Sequence, residues 1–474
     1  HTLHDFHADV YVDSLDFRVV DFTGMIDESD FHFTGLLRNY DLWFLTQPQG
    51  STRVEFNLTS SLLQLDDLFS YGGENYVPED YRHEEFKALK IHGFTELTFD
   101  KGLKSVDATF DRVEAQMKVH PLRFENFKGR VHYEDNHLVV TDLGGKLGKS
   151  VFSTDLHYYL GPDSVIAKRD NHFAIRSAHL DFDELFNYNS SPSEMKTPEQ
   201  HEAGFNLYEL PFSNMTFDFD IGHLRYHRYL VDNFHARART TKNHYLYVDS
   251  LSLDAAGGSI RLKGYFNGSD PKKIYFSPVM KFSHIDLDKL LFKFENFGQD
   301  HLVSENLHGK LSGTLAGKIH MHADMTPIID DSEIHLDIQV TEGSLVHCKA
   351  LDAMADYFKD KNLDRVRFDT LSNRIDIVNG SMSIPAMTIN STLGFIELSG
   401  KQDMNLNMEY YVRIPWKLVT QAAASKLFGS GGASNDQEDQ IQYRDETKRQ
   451  RFVNIKISGT PENYKISLAR DKNK

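Results

Sequence analysis

The sequence predicts a mostly β protein: an elongated, curled antiparallel sheet forming a repetitive β-groove, with short helices between the repeat units. Three observations carry this expectation. Apolar and polar residues alternate with the two-residue period of strands through most of the chain. Strand-favouring aromatics are abundant, with 34 Phe and 21 Tyr, while 13 Pro in 474 residues leave few rigid breaks. Related segments also recur at regular spacing, as they do in repeat proteins.

The clearest alternation places Met404, Leu406, Met408, Tyr410, Val412 and Ile414 on one face, interleaved with Asn405, Asn407, Glu409, Tyr411 and Arg413. Ile334, Leu336, Ile338 and Val340 alternate with His335, Asp337 and Gln339, and Met215, Phe217, Phe219 and Ile221 with Thr216, Asp218 and Asp220. Turn signals such as Asn379-Gly380 and Gly459-Thr460-Pro461 punctuate these runs.

The repeat is marked by LLQLDDLF at 62–69, HLDFDELF at 179–186 and HIDLDKLL at 284–291, spaced by 117 and 105 residues, with Asp66, Asp183 and Asp288 in register. Each reads as a strand giving way to a short helix. Asp181 is placed to cap the first turn with Glu184 reaching back, Asp286 has the same capping role, and Leu287, Leu290, Leu291 and Phe294 form an apolar helical face. Capping explains the Asp183/Glu184 pair better than acid/base catalysis does. ENF at 125–127 matches DNF at 232–234, Asn136-His137 matches Asn243-His244, and GSIRLKG at 258–264 matches GFIELSG at 394–400. The expected division is a first β-groove repeat over 1–75, further repeats over 76–190 and 191–300, and a closing region over 301–474. That last region contains a Gly/Ser-rich and then charged stretch, 429–450, read as a mobile loop.

Such units stack in one dimension. About 30 strands at roughly 4.8 Å each would give a sheet on the order of 140 Å long, with too few helical residues to cover its apolar face. Curling into a groove lined by Leu, Ile, Met and Phe satisfies that face and matches acyl chains, each buried CH₂ contributing roughly 0.8 kcal/mol. A dry sandwich core is the plainer alternative.

The formal net charge of −17 argues against nucleic acid as a partner and against simple adhesion to anionic headgroups. Cys348 is the single cysteine, which rules out an internal disulfide. The six N-x-S/T sequons, at Asn57, Asn189, Asn214, Asn267, Asn379 and Asn390, are uninformative in a chain this rich in Asn and Ser. No apolar run is long enough to span a bilayer, and no signal peptide is visible. Because the chain opens directly in a strand-like run from Phe6 to Val12, removal of an N-terminal segment is expected.

The last third resembles the C-terminal region of the AsmA family, bacterial envelope proteins related to TamB. The matching order is LHGKLSGTLAG at 307–317, VTEGSL at 340–345, a helix over 350–358, FDTL at 368–371, IVNG at 377–380, LGFIELSG at 393–400 and VNIKISGTP at 453–461. The resemblance implies a periplasmic groove of the bridge-like lipid transfer type, held at the inner membrane by an N-terminal anchor not present in this chain. It also implies phospholipids as partners, a link to outer-membrane components, and a part in outer-membrane biogenesis.

No catalytic arrangement emerges. His347 and Cys348 are strand neighbours pointing to opposite faces, and Gly429-Ser430-Gly431-Gly432 follows a helix instead of opening one. His320 and His322 share a strand face, and His1, His4 and His7 lie close together, but neither set has a further ligand at metal spacing. The expectation is a non-enzymatic lipid-binding protein with no cofactor and no metal. Its acyl chains would lie on Phe217, Phe219, Ile334, Leu336, Ile338, Met404, Leu406, Met408 and Val412. Over 415–428, Trp416, Val419, Ala423 and Leu427 share a helical face; Trp416 and Leu427 are candidates for a gate or membrane contact. A periplasmic scaffold for outer-membrane protein assembly, working through exposed strand edges, is the alternative. A dry structural solenoid is the third reading.

Overall fold

The computed structural model describes residues 2–64, 70–71, 74–75, 84–118, 122–160, 171–185, 208, 213–226, 229–293, 305–323, 326–347, 364–416, 440–445, 447, 449–460 and 463–469. Strands take up 77% of the described residues and helices 5%. The chain forms two compact units, one of residues 1–192 and 213–240, the other of 193–212 and 241–474.

In the first unit the strands β1 (Leu3–Val12), β2 (Asp16–Ile26), β3 (Ser29–Arg38) and β4 (Gln49–Gln64) pair in sequence order. A small separate hairpin follows, β5 (Ser70–Tyr71) with β6 (Glu74–Asn75). The main sheet resumes with β7 (Glu85–Asp100) on β4, then β8 (Leu103–Met117), β9 (Arg123–Glu134), β10 (His137–Leu147), β11 (Ser150–Tyr159) and β12 (Asn171–Asp181). Up to here every pairing is antiparallel. β13 (Met215–Tyr226) then pairs parallel to β12, with Asn171 opposite Met215 and Asp181 opposite Arg225. The intervening 182–214 must therefore carry the chain back along the strand direction, as any parallel connection requires. β14 (Tyr229–Thr240) closes the unit antiparallel to β13.

The second unit begins with β15 (Tyr245–Ala255), β16 (Gly258–Asn267), β17 (Tyr275–Asp286), β18 (Leu307–Met321) and the long β19 (Pro327–Val346). Opposite β19 lie two collinear pieces, β20 (Arg365–Phe368) and β21 (Leu371–Val378). The series ends with β22 (Ser381–Ser391), β23 (Gly394–Asp403), β24 (Met408–Pro415), β25 (Phe452–Thr460) and β26 (Asn463–Leu468), all antiparallel.

Local chemistry accounts for the turns. Asp135 and Asn136 join β9 to β10 with φ of 50° and 60°, and Asn379 and Gly380 join β21 to β22 with φ of 48° and 71°. Both are two-residue hairpin loops with two left-handed residues, the arrangement that suits the strand twist and favours Asn, Asp and Gly. Asn126 and Asn233, the two asparagines of the ENF/DNF match, are left-handed as well, at φ of 55° and 51° inside β9 and β14. Around Asn126 the pairing to both neighbouring strands shifts register, so the residue marks a bulge.

Two short helices follow strand ends. At α1 (Phe182–Leu185), Asp181 accepts the Glu184 amide at 3.1 Å, a helix cap. Glu184 does not reach back; its carboxylate accepts the Lys149 amide at 2.6 Å, across in the β10–β11 turn. At α2 (Leu287–Lys293), Asp286 binds Lys289 at 2.7 Å and also Lys310, so ion pairs replace the expected cap. Leu287 and Leu291 are buried, Leu287 against Val340 and Phe368.

Two sequence expectations are corrected. The run from Met404 does not alternate as a strand, because β24 starts only at Met408. Residues 404–407 form a turn in which Leu406 is left-handed at φ 61° and Asp403 accepts the Asn407 amide at 2.9 Å. The stretch 429–450 is not a free loop over its described part. Gln442 bridges to Ser391, the Arg444 amide reaches Asn390, and the Arg444 guanidinium pairs with Glu397. Residues 429–439 lie outside the described residues, as do Asp66, Phe294, Cys348 and the helix expected over 350–358.

Packing within the first sheet alternates large and absent side chains. Gly35, Phe56, Gly93, Phe110 and Gly129 are successive cross-strand partners from β3 to β9. The Phe56 and Phe110 rings meet across Gly93 with centroids 6.3 Å apart. A side chain added at Gly93 would run into the Thr109 carbonyl and the Phe56 ring. Gly93→Val should therefore destabilise the first unit by about 1–3 kcal/mol through overpacking, read as a lower urea midpoint at constant m-value; an unshifted midpoint would refute the role of this row.

Candidate functional site

Cross-strand partners share a sheet face, so the pairing defines one apolar surface in each unit. In the first, Phe173 faces Phe217, Ile175 faces Phe219, and those two face Ala238 and Ala236. Phe217 and Phe219 thus lie on this surface, stacked with centroids 6.1 Å apart, and both are only half-buried. In the second unit, Met280, Leu315, Leu336 and Ile375 are successive partners from β17 to β21. Ile334 and Ile338 flank Leu336 on the same face, joined to Ile377 and Asn373. Of these candidate residues, Phe217, Phe219, Leu336 and Ile338 are half-buried on their apolar faces, while Ile334, at 7% exposure, is buried within the protein.

The others behave differently. Met408 continues the apolar face of β24, opposite Gln402 and Gly459. Val412 is only 5% exposed and belongs to a closed cluster with Val366, Leu393, Ile414 and Ile455. It packs protein against protein. Met404 and Leu406 are exposed in the turn and do not line the strand face. Trp416 is exposed at the end of β24, its amide donating to the Arg451 carbonyl at 2.7 Å, and Leu427 lies outside the described residues.

A large apolar space lies where the sequence alternation gave no sign of it. β1 to β4 enclose a cavity of about 810 Å³ lined by eleven apolar residues, among them Val10, Phe17, Val19, Phe22, Phe33 and Leu58. Ser29 and Asp30 are its only polar lining. The Asp30 carboxylate is occupied by the Ser61 and Leu62 amides, at 2.9 and 2.6 Å, so it caps the β4 backbone at one end of the cavity. Register breaks hid the pattern. β2 shifts register between Val19 and Phe22, and β1 between His4 and His7, where Asp5 is left-handed at φ 50°. The cavity-lining positions of β2 then run 17, 19, 22 and 26 instead of alternating throughout. The half-buried Phe31 and Phe33 pair, one residue apart after an Asp-Glu turn, was the available signal.

How open this surface is follows from burial. Of the chain's 34 phenylalanines, only Phe127, Phe266, Phe282, Phe368 and Phe395 are buried among the described residues. The other described phenylalanines keep partial contact with solvent, whereas Ile221, Ile285 and Val340 are buried.

The opposite face is polar and cross-linked by charge. Arg176 bridges Asp142 and Asp155 at 2.8 and 2.6 Å, His132 meets Asp107 at 2.6 Å, and His235 meets Asp220 at 3.0 Å. His335 and Asp376 are direct cross-strand partners joined at 2.6 Å. Among the described residues no three His, Cys, Asp or Glu side chains gather as a metal set; His4 is engaged by Asp5 and the Asp27 carbonyl, and the His320 ring lies 6.1 Å from Tyr275. His1 lies outside the described residues.

Two measurements follow. The Asp376 hydrogen bond, with a second from Glu333, raises the His335 pKa, and His335 lowers that of Asp376. The pair's stabilisation is complete below the ordinary imidazole value and is lost as pH rises through the raised His335 pKa; it also fades in acid as Asp376 protonates. In NMR titrations, Asp376→Asn should move the His335 midpoint downward, and an unmoved midpoint would discount the pair. Val412→Ala should cost about 2 kcal/mol through its cavity while leaving any lipid occupancy of the first unit unchanged, since that residue packs in a closed core.

The chain was compared with family models, with curated proteins and with solved structures, and none of the three comparisons gives a match.

Proposed function

We propose that this chain is a non-enzymatic lipid-binding protein that holds acyl chains on the apolar face of its β-sheet. The observation that carries the reading is the half-open apolar surface, deepened at β1–β4 into a cavity of about 810 Å³ with two polar residues in its lining. Pockets for small molecules span roughly 300–1,000 Å³ and are mostly apolar with few polar groups. Methylene chains fit this lining chemically: the cavity offers dispersion and desolvation but hardly a hydrogen bond, so it selects hydrocarbon and leaves a polar headgroup in water. The recognition is collective, at roughly 0.8 kcal/mol per CH₂.

The likeness of the closing third to the AsmA family supports phospholipids as the ligands and the periplasmic side of a bacterial inner membrane as the place. It further supports a part in transport toward the outer membrane.

The test is mass spectrometry of lipids extracted from the natively purified protein, compared with a double variant carrying Val10→Asp and Val19→Asp. These two are direct cross-strand partners in the cavity wall. Co-purifying phospholipid, reduced severalfold in the double variant and less in either single one, is the expected result. A folded, lipid-free wild-type protein would overturn the reading and favour a scaffold that captures strands at the β1 edge, where β2 is the neighbour within the described sheet.

A further inference from the structure

We infer that one rim of the first unit docks on a lipid bilayer through three hairpin tips. The tips are the β1–β2 turn, the short 3₁₀ helix Tyr40–Phe44 between β3 and β4, and the β7–β8 turn. They are tied together by the Tyr40 amide to the Leu15 carbonyl at 3.2 Å, the Lys101 amide to the Pro48 carbonyl at 2.9 Å, and the Trp43 ring lying edge-on to Phe99 at 6.1 Å. Each tip presents large apolar side chains to solvent: Leu15 on the first, Trp43, Phe44 and Leu45 on the second, Leu103 on the third. Phe44 is 82% exposed.

Scattered surface hydrophobics need no explanation, but a clustered set on adjoining tips marks an interaction surface. Two observations commit it to a bilayer. The first is composition: Trp, Tyr, Phe and Leu on turns are what the headgroup–acyl boundary accepts. The charges on the tips nearly cancel, with Asp13, Asp16, Asp41 and Asp100 set against Arg38, Lys101 and Lys104, so attachment is apolar and does not require anionic lipid. The second is continuity with the cavity. Phe17, in the cavity wall, lies 6.2 Å from the Tyr40 ring, and Tyr40 lies 6.4 Å from Phe44 at the tip. An aromatic path joins the cavity to the docking rim, so a docked protein would place the cavity's end where acyl chains are available. That link to the cavity rests on the lipid-binding reading; the docking does not.

The experiment is flotation of the purified chain with phosphatidylcholine vesicles, with Trp43 emission followed in a Trp416→Phe background. The expected result is co-flotation that persists at high salt, with a blue shift of Trp43. A Phe44→Asp, Leu45→Asp variant should bind at least about tenfold more weakly, since two apolar insertions are lost. Its solvent-exposed positions keep the fold, to be checked by an unchanged melting temperature, and Leu103→Asp on a different tip should weaken binding as a second variant. The Val10→Asp, Val19→Asp cavity variant should float like wild type, so failure of lipid holding and failure of docking read out separately. Wild-type protein that stays with the unbound fraction, tip variants that float unchanged, or flotation abolished by salt would each overturn the inference.

Discussion

Each strand of these sheets carries its apolar side chains on one face, and keeping those faces aligned from strand to strand is the constraint behind everything else described. Side chains alternate with a period of two, so a one-residue slip would turn a strand's apolar set to the wrong side. Long strands twist and drift out of register, and the remedy here is a set of bulges. Asn126, Asp142, His284 and Glu342 all take left-handed conformations inside strands, with register shifts recorded beside them. Each extra residue resets the alternation, at the cost of a local strain that Asn and Asp bear better than branched residues.

An aligned apolar face must still leave water, and the chain solves this unequally. Around β20 and β23–β25 it closes on itself, with Ile414 and Ile455 almost fully buried. Along β15–β18, Tyr208 lies over Phe266 and Ile274 and fastens its hydroxyl to the Gly268 carbonyl at 2.6 Å. At β1–β4 nothing among the described residues fills the concavity, and a cavity remains. The charged ladders of the other face explain why the same sheet does not simply stack: removing Arg176, Asp142 and Asp155 from water would cost more than their mutual pairing returns.

Much of this was legible in the sequence, and the failures share a cause. Asn379-Gly380 announced its hairpin because only residues tolerant of positive φ suit that turn. Asp181 announced its helix because a short carboxylate before an apolar turn has an amide to accept. Strand identity and apolar face were likewise plain wherever alternation ran unbroken, as from Ile334 to Val340. What failed were places where a specific polar contact overrides the pattern of the chain. Met404 and Leu406 continue a perfect alternation, yet Asp403 captures the Asn407 backbone and turns the chain. Arg444 sits in a polar, loop-like run, yet Glu397 pins it to the sheet. The cavity residues escaped notice because the bulges that align them in space break their spacing along the chain.

The parallel pair of β12 and β13 has a consequence for how a chain of this kind can change in length. Within the first unit the ends of β4 and β12, from which its two longest connections leave, lie on one rim, six strand positions apart with β7 to β11 between them. Within the second, the ends of β17, β19 and β24 share a rim in the same way, again with even numbers of strand positions between them. Insertion or loss of a whole hairpin preserves that arrangement, because direction is restored after two strands. A single added strand inverts everything downstream unless two neighbouring strands run parallel, as β12 and β13 do. A hairpin is thus the unit whose addition leaves strand direction unchanged, and the pairing of β12 with β13 is the one parallel step among the described strand pairs.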